Sequence, residues 1–442
     1  MNNTQIYLEV KNKIPAEVND NTLLNIVTRE VNSYTHGFHK YPAKFIPQIP
    51  QWAISKYSLD SKTNFLCDPF CGSGTSLVEG VLSGQNAIGI DIDPLSILIS
   101  KVKTTRIDEY ELKKVANWLL AEMEVMNEGT FLPECKTLSH WFTDDAINKL
   151  SIIRTLIDQI SNKFGKTDGI RDIQDLLIVC FSSIIRRVSN ADNESQKTYV
   201  SHTRVKIPEE VNTLFVSQLD YFIKRIVKFS HHTNPNSKVA LIQSSSAESL
   251  KAKLEGFQIN LAVTSPPYIK AIDYIYNQMV ELFWIGDIFQ MQTQTKQNSM
   301  KSNYIGNKQI PKLEYKNYDP NENCVGIENI DETLQQIHIS DKKNGQKHSY
   351  ITYKYFLMMD KHFSEMAKCL NRDVHYVMVV GDSNVSGVDV ETANFLTKIA
   401  EKNGFILDNK WGYKIKNRFM RFDRKGRGGI IEIDWVLDFK KN

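Results

Sequence analysis

Short apolar runs, each followed by a polar or glycine-rich turn, predict the strands of one sheet in two separate parts of this chain. The first part is Phe65–Cys67, a glycine-rich turn, a helical segment near Ser76–Leu82 and a second run, Ala87–Ile90. Strand, turn, helix and strand in this order are typical of the start of a doubly wound α/β sheet. Similar runs return at Val239–Ile242 and Leu261–Val263, where we expect the sheet to continue.

The pattern changes between these two parts, because residues 101–237 carry apolar residues at three-to-four spacing, which predicts helices. Tyr110–Met126, Asp144–Ile160 and Val211–Phe229 show this spacing. We therefore expect a helical insertion large enough to form a subdomain.

The remaining chain divides into a polar part and an alternating part. Residues 288–350 are rich in Gln, Asn, Lys and Thr, so we expect an excursion from the sheet that adds little core. Residues 351–442 predict a helix at Tyr353–Leu370, a strand at Tyr376–Val380, a helix at Glu391–Lys402 and a β-hairpin around the basic loop 421–429. The predicted fold class is α/β, with a mostly parallel sheet, an antiparallel final hairpin and helices on both faces.

Composition allows a globular protein and narrows the choice of partner only slightly. The chain has 442 residues, more than one compact core usually serves, and 41% of them are hydrophobic. A net charge of +3 means that a nucleic-acid partner would need a local basic patch. The six cysteines lack CxxC spacing, and the start of the chain lacks an apolar leader. We therefore expect a reduced, cytoplasmic chain without structural disulfides, zinc or a membrane span.

The glycine motif, Asp68–Thr75, joins the first predicted strand to its helix. Gly72 and Gly74 would let the backbone approach a ligand closely. Asp91 ends the next strand, near the offset of roughly 20 residues expected for a carboxylate that holds ribose hydroxyls. A phosphate loop requires a lysine after its last glycine, and no lysine follows Gly74. A dinucleotide loop prefers a third glycine, and Leu77 occupies that position, so both kinds of loop fit poorly. The motif predicts a nucleoside-bearing cofactor, although turns of this kind also occur without a ligand.

The Ser-Pro-Pro-Tyr motif, Ser265–Tyr268, comes directly after a predicted buried strand. Two successive prolines fix the backbone torsions and remove two N–H donors, which leaves rigid carbonyls beside the Ser265 hydroxyl. Such carbonyls can accept the two N–H donors of an amino group and direct its lone pair toward a methyl donor. Tyr268 can stack on the ring that carries the amine. An ordinary diproline turn is the alternative, but the position after a strand and a cofactor motif favours methyl transfer from S-adenosylmethionine to a nucleobase amine.

Two weaker patterns concern the same predicted pocket. The turn Ser244–Glu248 could receive the adenine amine of the cofactor through Glu248, or it could simply cap a helix. His36 and His39 lack a cysteine or acidic residue at ligand spacing, so we predict no metal site there. We expect Phe38 instead to shape the methionine end of the pocket.

Basic residues in two segments are candidate DNA contacts. Arg186, Arg187 and Asn190 lie in the helical insertion, and Arg424 and Arg427 lie in the basic loop. Arginine commonly contacts phosphates and asparagine can supply a neutral contact. A solvated surface is the alternative for each segment.

At these motifs the chain resembles the amino-group DNA methyltransferases of bacterial restriction–modification systems. Their cofactor motif matches Asp68–Thr75, and His36–Pro47 resembles their upstream cofactor motif. Ser-Pro-Pro-Tyr is the form typical of cytosine-N4 enzymes, whereas adenine-N6 enzymes usually carry Asp or Asn in place of Ser265. The resemblance covers residues of about 31–100, 238–284 and 351–442 and excludes 101–237 and 285–350.

The resemblance implies a Rossmann-like S-adenosylmethionine-dependent methyltransferase fold with a seven-stranded sheet. The implied catalytic residues are Ser265, Pro266, Pro267 and Tyr268. Together with the residues proposed above, the expected cofactor-binding set is Phe38, Asp68, Phe70, Gly72, Gly74, Thr75, Asp91 and Glu248. The insertion comes before the third strand, whereas the family usually places its target-recognition domain after it. Residues 101–237 and 285–350 are therefore both candidates for reading the DNA.

The predicted activity is methyl transfer to cytosine N4 in duplex DNA, with the target base flipped out of the stack. Adenine-N6 methylation, methylation of an RNA base and a catalytically silent DNA-binding subunit are the alternatives. Double-stranded DNA is the expected partner, and a restriction endonuclease acting on the same site is the further partner that the resemblance suggests.

Overall fold

The structure is a computed structural model, and it describes residues 6–28, 31–42, 44–57, 64–193, 197–245, 247, 249–269, 273–293, 295–297, 304–416 and 431–442. The strands are β1 Leu8–Lys11, β2 Leu23–Val27, β3 Asn64–Asp68, β4 Asn86–Asp91, β5 Val239–Gln243, β6 Gln258–Thr264, β7 His375–Gly381, β8 Ser383–Val385, β9 Val388–Val390, β10 Phe405–Lys414 and β11 Ile433–Lys441. The first helices are α1 Gln48–Tyr57, α2 Thr75–Leu82, α3 Pro94–Thr104, α4 Glu109–Val125, α5 Leu138–Trp141, α6 Asp144–Phe164, α7 Asp168–Val188 and α8 Val211–His232. The later helices are α9 Leu250–Lys253, α10 Tyr274–Asn277, α11 Met279–Ile285, α12 Lys312–Tyr315, α13 Glu328–Ser340, α14 Gly345–Cys369 and α15 Thr392–Lys402.

Within the described ranges, nine strands form one mixed sheet in the order β1-β2-β10-β11-β7-β6-β3-β4-β5. The strands β7, β6, β3, β4 and β5 are parallel to one another, and β11 runs antiparallel between β7 and β10. The mostly parallel sheet with an antiparallel final hairpin is therefore confirmed. The sheet exceeds the seven expected strands because β1 and β2 extend it beyond β10. These strands are only four and five residues long, and the sequence analysis did not predict them.

Both faces of the central sheet are buried, which explains why its strands are continuous apolar runs. In β7, Tyr376, Met378 and Val380 join one apolar cluster, whereas Val377 and Val379 join another on the opposite face. The first cluster is covered by α14 and α15, and the second is covered by α1 through Trp52. The parallel strands are thereby held so that their carboxyl ends share one edge of the sheet.

Helices α4, α6 and α8 lie where the three-to-four spacing predicted them, and they pack with α3 and α7 around a third apolar cluster. Helix α7 was not one of the helices named from the sequence, but it lies within the region 101–237 that was predicted to be helical. Arg154 of α6 ties this helical region to the segment after the catalytic motif. Its guanidinium donates two hydrogen bonds, of 2.9 and 2.6 Å, to the Asp287 carboxylate.

The expectation that residues 288–350 add little core is wrong for α13. Its side chains Ile330, Leu334 and Ile337 are fully buried and join the same apolar cluster as Phe356 of α14. Helix α14 also begins at Gly345, well before the predicted start at Tyr353. The polar composition of the segment concealed one narrow apolar face, which a neighbouring helix covers. Among the described helices, none combines the length and the apolar character needed to cross a bilayer.

Candidate active site

The glycine motif and the Ser-Pro-Pro-Tyr motif meet at one cavity, at the carboxyl ends of the parallel strands. The cavity holds about 700 Å³ of open space, part of it continuous with solvent. Gly72 after β3, Asp91 at the end of β4, Ser244 after β5, and Ser265 and Pro267 after β6 all line it. Open α/β sheets generally bind ligands at this edge. Two motifs that lie almost 200 residues apart in sequence therefore face the same space.

The turn of the glycine motif requires glycine for two different reasons. Gly72 has a φ of 47° and Gly74 a φ of 77°, which side chains other than glycine rarely adopt. A Cβ atom at Gly72 would lie 3.0 Å from the Tyr41 ring, which also lines the cavity. A Cβ atom at Gly74 would lie 2.8 Å from the hydroxyl oxygen of Ser100 on α3. Gly72 therefore brings backbone to the cavity, whereas Gly74 serves the packing of the turn against α3.

Asp68 joins the two motifs to each other instead of lining the cavity. Its Oδ1 atom accepts hydrogen bonds from the Phe70 backbone N–H, at 3.1 Å, and from the Thr264 hydroxyl, at 2.6 Å. Burial raises the pKa of Asp68 to about 6, and the hydrogen bond from Thr264 opposes that rise. Because Thr264 immediately precedes Ser265, this carboxylate sets the position of the Ser-Pro-Pro-Tyr motif relative to the glycine turn.

Asp91 is the acidic group that reaches the cavity. Its Oδ2 atom accepts a hydrogen bond of 2.8 Å from the Gly72 N–H, and its Oδ1 atom accepts one of 2.9 Å from the Asp93 N–H. Burial, followed by the charge of Asp93, raises the pKa of Asp91 to about 7. Each carboxylate oxygen keeps acceptor capacity beyond these bonds, so the group can also accept hydroxyl donors from a ligand.

The segment His36–Pro47, before the glycine motif, lines the cavity with residues other than the expected Phe38. Tyr41, Lys44 and Phe45 line the cavity. Phe38 is fully buried, and its ring stacks on Phe222 of α8 with the centroids 4.0 Å apart. Phe38 therefore anchors the segment to the helical region and does not line the cavity, which corrects the prediction. The sequence indicated the right segment but not which of its side chains turn inward.

Lys44 has an unusual environment for a cation. Its Nζ atom donates one hydrogen bond of 3.0 Å to the His36 carbonyl, and burial lowers its pKa. Among the residues that the structure describes, no carboxylate pairs with this ammonium. A partly buried ammonium without a counter-ion is costly, so its presence at a cavity wall points to an anionic group in the ligand.

The two upstream histidines have separate partners. His36 Nε2 lies 2.6 Å from the Glu79 carboxylate, and His39 Nε2 lies 3.1 Å from the Ser182 hydroxyl. Burial lowers the pKa of both rings, that of His39 to about 4. Neither ring lines the cavity, and each supports the packing behind the glycine turn.

Tyr268 does not line the cavity, although Ser265 and Pro267 of the same motif do. The Tyr268 side chain is half-buried, and its hydroxyl donates a hydrogen bond of 2.6 Å to the Asp434 carboxylate on β11. Pro266 is buried. Within the motif, Ser265 and Pro267 therefore face the cavity, whereas Tyr268 contacts β11.

Three stacked tyrosines form a wall of the cavity that the sequence pattern did not predict. The Tyr41 and Tyr274 rings have centroids 5.7 Å apart, and the Tyr274 and Tyr304 rings have centroids 6.2 Å apart. All three line the cavity together with Phe70 and Thr75. Tyr274 and Tyr304 follow the Ser-Pro-Pro-Tyr motif in sequence, so the chain after this motif returns to line the cavity. Their aromatic character alone gave no indication of this, because buried tyrosines are common in cores.

The three residues of the helical region that were predicted to contact DNA already form hydrogen bonds with other protein groups. Arg186 is buried, and its guanidinium donates to the Asp192 carbonyl, at 3.1 and 2.9 Å, and to the Lys197 carbonyl, at 3.1 Å. This corrects the prediction for Arg186, whose charge holds a loop in place. Arg187 pairs with exposed Glu209 at 2.6 Å, and the Asn190 amide donates to the His140 carbonyl at 3.1 Å. The remaining predicted residues, Glu248, Arg424 and Arg427, lie outside the described residues.

Comparisons with known proteins agree with this geometry. Residues 43–121, which contain the glycine motif and Asp91, match the family model UPF0020, the RMKL-like methyltransferase domain. The Type II methyltransferase M.MvaI of Kocuria varians is 26% identical over 92% of this chain and 90% of its own length.

Two further relatives are also described as Type II methyltransferases. The Type II methyltransferase M.BsoBI of Geobacillus stearothermophilus is 23% identical over 85% of this chain and 79% of its own length. The Type II methyltransferase M.MjaII of Methanocaldococcus jannaschii is 40% identical over 20% of this chain and 16% of its own length. The chain is therefore similar to Type II methyltransferases over most of its length, with the methyltransferase-domain match falling on the segment that forms the cavity.

Proposed function

We propose that this chain is a site-specific DNA methyltransferase that uses S-adenosylmethionine and methylates cytosine at N4. The observation that carries the proposal is the shared cavity of Gly72, Asp91, Ser265 and Pro267. A cofactor turn and an amine clamp need to face one space if a methyl group is to pass between two ligands. The similarity to Type II methyltransferases along nearly the whole chain supports the same activity.

The cavity residues fit the chemical groups of S-adenosylmethionine. The partly buried ammonium of Lys44 suits the cofactor carboxylate, since it lacks a carboxylate partner among the described residues. Asp91 suits the ribose hydroxyls, because its oxygens can accept further hydrogen bonds. Tyr274 and Tyr304 supply flat apolar surface for the adenine ring. When bound there, the cofactor would supply a methyl group on a positively charged sulfonium.

The Ser-Pro-Pro-Tyr motif would orient the second ligand. Pro266 and Pro267 fix the carbonyls that accept the N–H groups of the target amine, with the Ser265 hydroxyl beside them. These contacts direct the nitrogen lone pair into the cavity. The nitrogen would form the new bond to the methyl carbon as the carbon–sulfur bond of the sulfonium breaks and leaves a neutral thioether. The proton that the nitrogen loses would pass to water, so no strong general base is required. A base in a duplex must be flipped out to reach this clamp, and Tyr268 would stack on it.

The choice of cytosine rests on Ser265, and one measurement decides it. Plasmid DNA from cells that express the chain, digested to nucleosides, is expected to contain N4-methylcytosine by mass spectrometry. DNA from cells that express the Tyr268→Ala variant is the matched control and is expected to contain much less of it. N6-methyladenine in its place would overturn the choice of base and keep the reaction class. A product found only in RNA would overturn DNA as the substrate.

Lys44→Met is expected to weaken binding of S-adenosylhomocysteine by about 10- to 100-fold. A hydrogen bond to a charged group contributes roughly 1.5–3 kcal/mol, and methionine keeps the length of the side chain without the ammonium. Isothermal titration calorimetry with methylthioadenosine, which lacks the carboxylate, should show the same affinity for wild type and variant. Lys114→Met, at an exposed lysine of α4, should leave both affinities unchanged. Equal weakening for both ligands would contradict the assignment of Lys44 to the carboxylate.

A further inference from the structure

We propose that Asp434 is a positioning residue that fixes the ring of Tyr268 in the orientation needed to stack on the target base. The inference rests on the proposed function, because it concerns the same clamp. It assigns to the final hairpin a part in catalysis that neither motif contains.

The contact reaches across one strand of the sheet. Tyr268 follows β6 and Asp434 lies near the start of β11, and β7 lies between those two strands. Gly381 at the end of β7 pairs directly with Asp434 in the antiparallel register. The Tyr268 hydroxyl nevertheless reaches the Asp434 Oδ1 atom at 2.6 Å. The aromatic side chain therefore passes over the end of β7.

Gly381 leaves the space that this path requires. A Cβ atom there would lie 2.7 Å from Cγ2 of Ile431, 3.2 Å from Oδ1 of Asp434 and 3.2 Å from Cε2 of Tyr268. The backbone of Gly381 has no positive φ, so conformation alone does not demand glycine at this position. The close approach of three neighbouring side chains is the reason that remains.

The acceptor is a buried carboxylate held by tyrosine hydroxyls. Its second oxygen, Oδ2, accepts a hydrogen bond of 3.1 Å from the Tyr413 hydroxyl on β10. Asp434 is 8% exposed, and no described cation forms an ion pair with it. Burial raises the pKa of Asp434, whereas the hydrogen bonds from the two hydroxyls lower it. A carboxylate in this setting contributes mainly by directing its two donors.

This arrangement decides how Tyr268 can act. Its hydroxyl is occupied as a donor to Asp434, so the side chain offers its ring to a base instead of a proton-transfer group. A ring that is fixed at both the backbone and the hydroxyl loses little freedom when a base stacks on it. Releasing the hydroxyl should therefore lower the turnover rate without changing cofactor binding.

A double-mutant cycle tests the pairing. Tyr268→Phe keeps the ring and removes the donor, and Asp434→Asn changes the acceptor at nearly constant shape. Each is expected to lower kcat for methylation of plasmid DNA by about tenfold, and the double variant should be no slower than either single variant, because all three lose the same interaction. The affinity for S-adenosylhomocysteine should stay at the wild-type value in all three.

Two further variants separate positioning from general stability. Tyr413→Phe removes the other hydroxyl on the same carboxylate and should leave kcat within about twofold of wild type. Gly381→Ala should lower kcat as Tyr268→Phe does, since the added Cβ atom would press on both the Tyr268 ring and the Asp434 oxygen that accepts its hydrogen bond. Multiplicative effects in the cycle, or a Tyr413→Phe loss as large as that of Asp434→Asn, would overturn the inference. If either outcome is found while the wild type methylates DNA, the proposed function still stands. If the wild type does not methylate DNA, both the proposed function and this inference fail.

Discussion

Tyr268→Ala is expected to lower kcat for DNA methylation by about 100-fold while the affinity for S-adenosylhomocysteine changes by less than about twofold. Stacking of a base on an aromatic side chain contributes roughly 1–3 kcal/mol, which corresponds to a loss of about 5- to 150-fold. The ring does not line the cavity where the cofactor would bind, and its hydroxyl is bonded to Asp434. The substitution therefore removes a contact to the base and leaves the cofactor groups in place.

The measurement combines transfer of a labelled methyl group to plasmid DNA with calorimetric titration of S-adenosylhomocysteine. Tyr110→Ala is the matched control, because Tyr110 is an exposed tyrosine of α4, 73% accessible, with no place at the cavity. The control should match wild type in both assays. A parallel loss of turnover and cofactor affinity in Tyr268→Ala would show that the ring supports the cavity as a whole, and the stacking role would then be abandoned.

Asp91→Ala is expected to weaken cofactor affinity by about 100-fold or more. The carboxylate accepts the N–H groups of Gly72 and Asp93, so its removal leaves two donors unsatisfied beside the cavity. It also removes the proposed acceptor of the ribose hydroxyls. Hydrogen bonds to a charged group contribute roughly 1.5–3 kcal/mol each, and an unsatisfied buried donor adds to the loss. Unchanged affinity in calorimetry would remove Asp91 from the cofactor site.

The raised pKa of Asp91 adds a dependence on pH to this prediction. Burial and the charge of Asp93 raise the pKa to about 7, so the fraction of ionised Asp91 rises between about pH 6 and pH 8. Cofactor affinity should rise with it, because the ionised carboxylate is the better acceptor for hydroxyl groups. Asp91→Asn should show a flatter affinity profile over this range. Asp68, whose pKa is about 6, is present in both wild type and Asp91→Asn, so its titration does not account for a difference between their profiles.

The same shift has the opposite sign for the stability of the unliganded chain. A folded-state pKa above the unfolded value means that the folded form holds its proton at higher pH than the unfolded form. The contribution of Asp91 to stability is therefore fully present below its unfolded pKa and is lost as the pH rises through about 7. Thermal unfolding without ligand should show this loss in wild type and a smaller one in Asp91→Asn. Binding and stability thus change in opposite directions with pH.

Local patterns in the sequence predicted much of the central sheet and the identity of its two motifs. The runs Phe65–Cys67, Ala87–Ile90 and Leu261–Val263 became β3, β4 and β6 because strands buried on both faces are continuous apolar runs. The glycine motif could be interpreted for the same kind of reason, since a positive φ at Gly72 and Gly74 leaves few other residues possible. These features depend on neighbouring residues, and the sequence shows neighbours directly.

The misses concern side chains whose environment comes from distant segments. Phe38 turned toward α8 because Phe222 offers a ring to stack on, while Lys44 of the same segment turned toward the cavity. The Arg186 guanidinium donates hydrogen bonds to carbonyls of the loop that follows it. The apolar face of α13 is covered by α14. The periodicity of a single segment does not contain the partner that decides where a side chain points.

The sequence alone determined that this chain carries a glycine turn and a rigid diproline turn, because both depend on the backbone preferences of glycine and proline. Only the tertiary structure brought Gly72, Asp91, Ser265 and Pro267 to one cavity, through the order of the parallel strands. It alone linked Tyr268 to Asp434, because the hydrogen bond passes over a strand that lies between them in space and depends on the register of β7 and β11.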